Sequence, residues 1–298
     1  MVIYIGGLMI ISRIIGGLGN QMFQYAIGRS LASFLNTKLK LDVENFEAYD
    51  LHKYLLNKFK IVEDYATKEE IQAITKKKSK IKILLNKLSI VKYENQVYSE
   101  KREFHFDPKV FQLRGNIYLA GYWQTDKYFR NIEDTIRKEF SLKNPPEGKN
   151  KEFLSKIEKC NSVALHVRRG DFVTDSKTFN KHGVCSLEYY YDSIKLMNEK
   201  VQNPTFFIFS DDSEWVKENL EIPNNEKHFV THNSLDDASE DLRLMRNCNH
   251  FITANSSFSW WGAWLSRNPN KIVITPKRWL STDKIRVSNL IPDEWLRV

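Results

Sequence analysis

In the second half of the chain, short apolar runs alternate with longer amphipathic stretches. The strand-like runs cover residues 163–167, 205–210, 228–231, 250–254 and 271–275, each carrying β-branched or aromatic residues. Between them, residues 186–201, 213–220, 236–249 and 257–267 follow helical spacing, with Ser186 and Ser213 as N-caps and Pro276 closing the last strand. Strict alternation of this kind predicts βαβ units on a parallel sheet with right-handed crossovers. Ligands of such sheets bind beyond the carboxyl ends of the strands.

The first half is less regular. Residues 11–15 read as a strand, 16–20 as a loop, 21–35 as a helix and 38–42 as the next strand. Residues 63–88 are helical in pattern and rich in lysine, 116–121 form a further strand and 126–140 a further helix. The segment KNPPEGKNKE, residues 143–152, has the paired prolines, glycine and charge of a linker. No repeat of solenoid length is present. The expected architecture is α/β: two Rossmann-like lobes facing each other across an interlobe cleft, residues 1–148 and 149–298.

Composition narrows the class. With 298 residues and 42% hydrophobic content, the chain can build one large core or two ordinary ones. A net charge of +8 favours anionic partners: nucleotide phosphates, nucleic acid or a membrane surface. Cys160, Cys185 and Cys248 are far apart and form neither a CxxC pair nor a zinc spacing, which indicates free thiols in a reducing compartment. No apolar run is long enough to span a bilayer. The apolar start lacks the basic region and cleavage site of a signal peptide, and Met9 stands as an alternative start. A cytoplasmic location is expected.

Four loops at strand ends carry the candidate chemistry. The first is HVRRGDF, residues 166–172, where a buried-looking strand ends in His166, Arg168 and Arg169. A buried guanidinium needs a partner. Either a bound anion supplies it, since an arginine fork matches phosphate oxygens two at a time, or Asp171 or another internal carboxylate does. The second loop, GGLGNQ (residues 16–21), sits where a dinucleotide fingerprint would. It departs from that fingerprint because Met22 stands where the third glycine is needed. Gly19 allows close backbone approach, and Asn20 and Gln21 bring amides to a helix start; a tight turn with N-capping is the plain alternative.

The third loop is FSDD (residues 209–212). Asp211 and Asp212 could accept from a base or ribose, hold a metal, or cap the next helix, although adjacent aspartates depart from the Asp-x-Asp metal pattern. The fourth, ANSSFSWWGAWL (residues 254–265), brings Asn255, Ser256 and Ser257 to a helix N-terminus suited to a phosphate. Phe258, Trp261 and Trp264 or Leu265 then form an apolar face, with the tryptophans read as core. Together the loops imply a nucleotide diphosphate.

These blocks, with HGVCSLEYY (residues 182–190), resemble in order and spacing the bacterial α-1,2-fucosyltransferases of glycosyltransferase family eleven. They run from residue 16 to about 280, and residues 47–113 carry none of them. The H-x-R-R block is shared more widely with α-1,6- and protein O-fucosyltransferases, which the GGLGNQ and SFSWW blocks separate from this chain.

The resemblance implies a GT-B-like fold with an N-terminal acceptor-side lobe and a C-terminal donor lobe. GDP-β-L-fucose would be the donor and the 2-hydroxyl of a terminal β-galactoside the acceptor, with inversion, in surface glycan (O-antigen) synthesis. It implies that Arg168 holds the pyrophosphate as the catalytic residue and that His166 lies near the nucleoside. Ser256, Ser257 and Phe258 would cradle phosphates and base, Asp211 or Asp212 would lie near guanosine, and Asn20 beside fucose or acceptor. No metal is expected, because an arginine and helix N–H groups can stabilise the charge growing on the β-phosphate. Asp126 and Glu240 are candidate general bases. The lysines Lys76, Lys77, Lys78, Lys80, Lys82 and Lys87 suggest a peripheral contact with anionic lipid at the inner membrane face.

Three rivals remain at this level. The same lysines support a nucleic-acid-binding protein, against which no motif with base-stacking aromatics is present. The others are a different GDP-fucose-dependent transferase (α-1,6- or protein O-linked) and a non-catalytic GDP-sugar-binding protein.

Overall fold

A computed structural model describes residues 8–47, 52–76, 95–170, 175–282, 285 and 287–298, with only the backbone of 176–178. Most of the lysine-rich segment, Asp171 and the first seven residues lie outside the described residues. The chain forms two compact units: Met1–Phe140 with Ser288–Leu290, and Ser141–Val287 with Ile291–Val298. The change of unit falls at 140/141, upstream of the linker expected at 143–152. The second half of that supposed linker is helical, in Gly148–Ile157.

The first unit holds a four-stranded parallel sheet ordered β2-β1-β4-β3. Its strands are β1 (Met9–Arg13), β2 (Lys38–Asp42), β3 (Gln96–Ser99) and β4 (Ile117–Ala120). Ile10, Leu41, Ile117 and Leu119 are buried. Helix α1 (Leu18–Phe34) connects β1 to β2 and starts three residues before the expected position, so that Asn20 and Gln21 lie in its first turn. Helix α2 (Lys68–Thr75) opens with a capping box between Thr67 and Glu70.

The helix expected over 126–140 is a correction. Two 3₁₀ turns, Asp126–Tyr128 and Arg130–Ile132, precede a true helix α3 at Glu133–Glu139. Phe129 (φ −139°) and Ile132 (φ −124°) leave helical geometry, and Thr125 caps the first turn through its hydroxyl.

The second unit begins with α4 (Gly148–Ile157) and then alternates as the pattern predicts. Its elements are β5 (Asn161–Val167), α5 (Ser176–His182), α6 (Leu187–Lys200), β6 (Pro204–Ser210), α7 (Ser213–Asn219) and β7 (Lys227–Val230). They continue with α8 (Ala238–Asn247), β8 (His250–Ile252), α9 (Ser257–Leu265), β9 (Val273–Thr275) and β10 (Leu296–Arg297). The sheet order is β10-β9-β8-β5-β6-β7, with every pairing parallel. Parallel strands are covered on both faces, which is why β5 and β6 read as unbroken apolar runs. Val163, Leu165, Phe206 and Ile208 share a core with Tyr189, Tyr190 and Met197 of α6. Trp260 and Trp261 are fully buried and pack edge to face at 5.1 Å, so the tryptophans of α9 are core. Because all strands point the same way, the carboxyl ends of β5, β6, β7 and β8 lie along one edge.

Candidate active site

At that edge of the second unit, the arginines after β5 meet the aspartates after β6. Register explains why: His166 pairs with Phe209 and Val167 with Ser210, so the residues that follow are neighbours across the two loops. Nη1 of Arg168 lies 3.0 Å from Oδ2 of Asp211, and Nε of Arg169 lies 3.2 Å from Oδ2 of Asp212. The Arg169 amide donates to Oδ1 of Asp211 at 2.8 Å. The Arg169 guanidinium also stacks 3.6 Å above the Trp215 ring centroid. A Cβ at Gly170 would overlap the Asp211 carboxylate, so this approach requires glycine. An internal carboxylate therefore does hold each arginine, as the plain reading allowed. Asp212 also caps α7, accepting from the Trp215 amide at 3.3 Å.

His166, the penultimate residue of β5, is 5% exposed, and its ring lies 5.7 Å from that of Phe258. Phe258 thus faces His166 rather than continuing the apolar face of α9. Burial, with help from the Arg168 charge, pushes the imidazole down to about 3, so the ring is neutral at physiological pH. Its Nδ1 is buried without a hydrogen-bond partner among the described residues.

At the end of β8, the Asn255 side chain fastens a neighbouring segment. Its Nδ2 donates to the carbonyls of His182 (2.9 Å), Gly183 (3.3 Å) and Trp279 (3.2 Å), and its Oδ1 accepts from the Cys185 thiol. Ser256 caps α9, accepting from the Phe258 amide at 3.3 Å, and Ser257 is the helix's first residue. The HGVCSLEYY block completes the scaffold. Tyr189 donates to the Thr253 carbonyl at 2.6 Å and Tyr190 to the His166 carbonyl at 3.2 Å. One helix thereby ties together the two strand ends that carry the candidate donor residues.

The sequence did not single out a further group at the end of β7. Nδ2 of Asn233 donates to Oδ1 of Asp241 at 2.7 Å and bonds Asn150, which also meets His232 at 2.8 Å. Burial, and then the Asp237 and Glu240 carboxylates, push the Asp241 carboxyl up to about 7. The available signal was a pair of carboxylates in the first turn of α8; the partner that marks Asp241 comes from another element.

In the first unit, Gly16 adopts φ 75° and Gly17 stands at the N-cap position before α1 with no side-chain bond to give, so the turn reading holds and the capping reading does not. Gly19 is buried in the first turn. Gln21 is buried and braces the loop: its Nε2 donates to the carbonyls of Gly16 and Lys53 at 2.8 Å, and its Oε1 accepts from the Leu55 amide at 3.0 Å. Oδ1 of Asn20 accepts from Nε2 of Gln124 at 2.7 Å. Asp126 is buried against Arg130 at 2.7 Å, and Glu240 pairs with Arg243 at 2.9 Å. Among the described residues, no group of three His, Cys, Asp or Glu side chains could hold a metal ion, and no helix is long and apolar enough to cross a membrane.

Comparison with known proteins matches this arrangement to a family. A sequence profile described as Glycosyl transferase family 11 aligns with residues 7–297. An Alpha-1,2-colitosyltransferase of Escherichia coli is 33% identical, over 97% of this chain and 99% of its own. The O-antigen biosynthesis glycosyltransferase WbnK of Escherichia coli is 30% identical, over 95% of this chain and 98% of its own. Among solved structures, a mutant of Arabidopsis thaliana FUT1 in complex with GDP has a TM-score of 0.50 at 10% identity, covering 93% of this chain and 72% of that one. That likeness, with a parallel sheet in each unit, makes the fold α/β and GT-B-like. Matched nearly end to end, the chain belongs to glycosyl transferase family 11 and is a glycosyltransferase.

Proposed function

We propose that the protein is an inverting galactoside 2-α-L-fucosyltransferase that uses GDP-β-L-fucose, in surface glycan synthesis. The observation that carries this reading is the pair of arginines held at the carboxyl edge of the second unit's sheet. Arg168 would take the donor's pyrophosphate with the N-terminus of α9, where Ser256 and Ser257 sit. As the sugar–phosphate bond breaks, charge grows on the β-phosphate and the sugar becomes oxocarbenium-like. A guanidinium fixed by Asp211 meets that charge without reorganising. Asp211 and Asp212 serve the donor through the arginines they orient. The unpartnered Nδ1 of neutral His166, facing Phe258, supports a nucleoside contact. Guanine presents N1–H and an amino group on one edge, and Asp241, in the first turn of the helix after β7 with its Oδ1 held by Asn233, is the carboxylate we assign to accept them. Gly19, Asn20 and Gln21, in the first unit, are assigned beside the transferred sugar or the acceptor.

A second reading rests on the Escherichia coli colitosyltransferase. Colitose is fucose without its 3-hydroxyl, so both donors offer the same nucleotide and the same leaving phosphate. One assay separates the two: GDP-fucose and GDP-colitose offered in parallel with a panel of β-galactosides, the product linkage read by NMR. We expect an α-1,2-linked fucosyl product, with and without prior EDTA dialysis, because both aspartates already hold arginines. Transfer of colitose alone would establish the second reading. Activity lost to EDTA and restored by manganese would make Asp211 and Asp212 metal ligands.

Peripheral attachment through the lysine-rich segment belongs to the same proposal. Each lysine near anionic lipid contributes about 1 kcal/mol, within a Debye length of ~8 Å at physiological salt. Co-sedimentation with phosphatidylserine vesicles should therefore fade between low and moderate salt. Equal recovery in the supernatant with neutral and anionic vesicles would remove this part.

A further inference from the structure

In the first unit, β4 lies beside β1 in parallel, with Leu119 opposite Ser12, so the loops that follow the two strands are neighbours. The β1 loop leads into the first turn of α1, which carries Asn20. The β4 loop, residues 121–125, carries Gln124, whose amide reaches Asn20. Between the strand and Gln124 sits Trp123 at φ 58°, a left-handed conformation that a bulky side chain rarely adopts.

Several contacts hold it there. Oε2 of Glu100, just past β3, accepts from the Tyr122 amide at 2.7 Å, and Oε1 accepts from the Trp123 amide at 3.1 Å. Any Cβ at Gly121 would overlap the Glu100 side chain. The Trp123 ring, 1% exposed, stacks on Tyr98 at 6.2 Å and meets Tyr128 edge-on at 5.6 Å. The Thr125 amide closes the turn onto the Trp123 carbonyl at 2.8 Å. A strained backbone persists only where its surroundings over-determine it, and such points gather at sites that fix a functional group.

The group fixed here is an amide. Because Nε2 of Gln124 donates to Asn20, its Oε1 is the atom left to face a ligand, and a neutral carbonyl oxygen accepts a hydroxyl proton. Glu100 brings the local negative charge, and two backbone N–H groups already occupy it. This chemistry suits an uncharged, hydroxyl-rich glycan better than a pyrophosphate.

We infer that Gln124 binds the acceptor sugar and that Glu100 is a positioning residue acting through it. The inference rests on the transferase reading above and deepens its acceptor side. The test compares Gln124→Leu, Glu100→Gln and the double variant, measuring acceptor KM, kcat, and GDP-sugar affinity by calorimetry. Gln124→Leu should raise acceptor KM by about 10-fold, the loss of one or two hydrogen bonds, and leave donor affinity within twofold. Glu100→Gln puts an amide donor against a backbone N–H, so it should raise KM similarly, and the double variant should be no worse than either single one. A purely structural Glu100 would instead lower donor affinity and acceptor affinity together. An acceptor KM within twofold of the parent in Gln124→Leu overturns the inference, even if Glu100→Gln fails to fold. Failure of the parent chain to bind any GDP-sugar is a different result, which counts against the proposed function.

Discussion

Replacing Arg168 with lysine should lower turnover by about 100-fold or more, the scale seen when a single transition-state donor is removed. The charge survives this change, so a loss of that size isolates geometry. A guanidinium can keep one N–H on Asp211 while others reach phosphate oxygens; an ammonium on a flexible stem gives three donors with no fixed plane. Affinity for the intact GDP-sugar should fall less than kcat, because the leaving phosphate gains charge only as the bond breaks. Circular dichroism and melting temperature should match the parent, since Arg168 lies at the mouth of the sheet and not in its core. Near-normal turnover in a folded Arg168→Lys protein would remove Arg168 from the reaction.

Asp241→Asn is expected to stabilise the protein and weaken its hold on GDP. The folded carboxyl titrates at about 7, against an ordinary 3.8. Between those values the folded protein keeps a proton that the unfolded chain releases, so this group's contribution is full below 3.8 and fades as pH rises to 7. Above 7, the protein carries a charged carboxylate in a poorly solvated place. Asparagine removes that burden and still offers Asn233 an acceptor oxygen. At about 1.4 kcal/mol per pH unit, the gain at pH 8 is at most about 4 kcal/mol, and partial exposure lowers it. A thermal melt series from pH 4 to 8 should show a flatter profile and a higher Tm at the alkaline end. GDP affinity should drop by about 10- to 100-fold, the loss of charge-assisted bonds to guanine. An unchanged melt profile would refute the titration, and unchanged GDP affinity would refute the guanine contact.

What could be read from the sequence depended on how local its cause was. β5 and β6 are buried on both faces, so residues such as Val163, Leu165, Phe206 and Ile208 announce themselves as apolar runs. The edge strand β3, QVYS, alternates between intermediate and exposed positions and escaped notice. Residues 148–152 read as linker because their polar side chains and the nearby prolines resemble punctuation, while the anchor of the helix they open, Ile157, is a single buried residue. The site divides in the same way. Arg168, Arg169, Asp211 and Asp212 stand out as charges at strand ends, but their pairing spans 43 residues and follows only from strand register. Asn255 and Gln21 were recognised by position, yet their amides bind backbone carbonyls that no spacing rule identifies. The Trp123 conformation is invisible in a string that merely reads GYWQ.

The return of Ser288–Leu290 to the first unit has a consequence for genetic dissection. The Asn289 amide donates to the Phe104 carbonyl at 3.0 Å, and its Oδ1 accepts from the Phe106 amide at 2.9 Å; Leu290 is fully buried. A gene fragment ending near codon 140 therefore encodes a first unit with an open seat for three residues, and one starting there encodes a second unit interrupted by a foreign insert. Chimaeras that exchange second units between family members should carry this tripeptide from the parent that supplies the first unit. Splicing at one junction would mismatch the seat, whereas three crossovers would keep each folding unit intact.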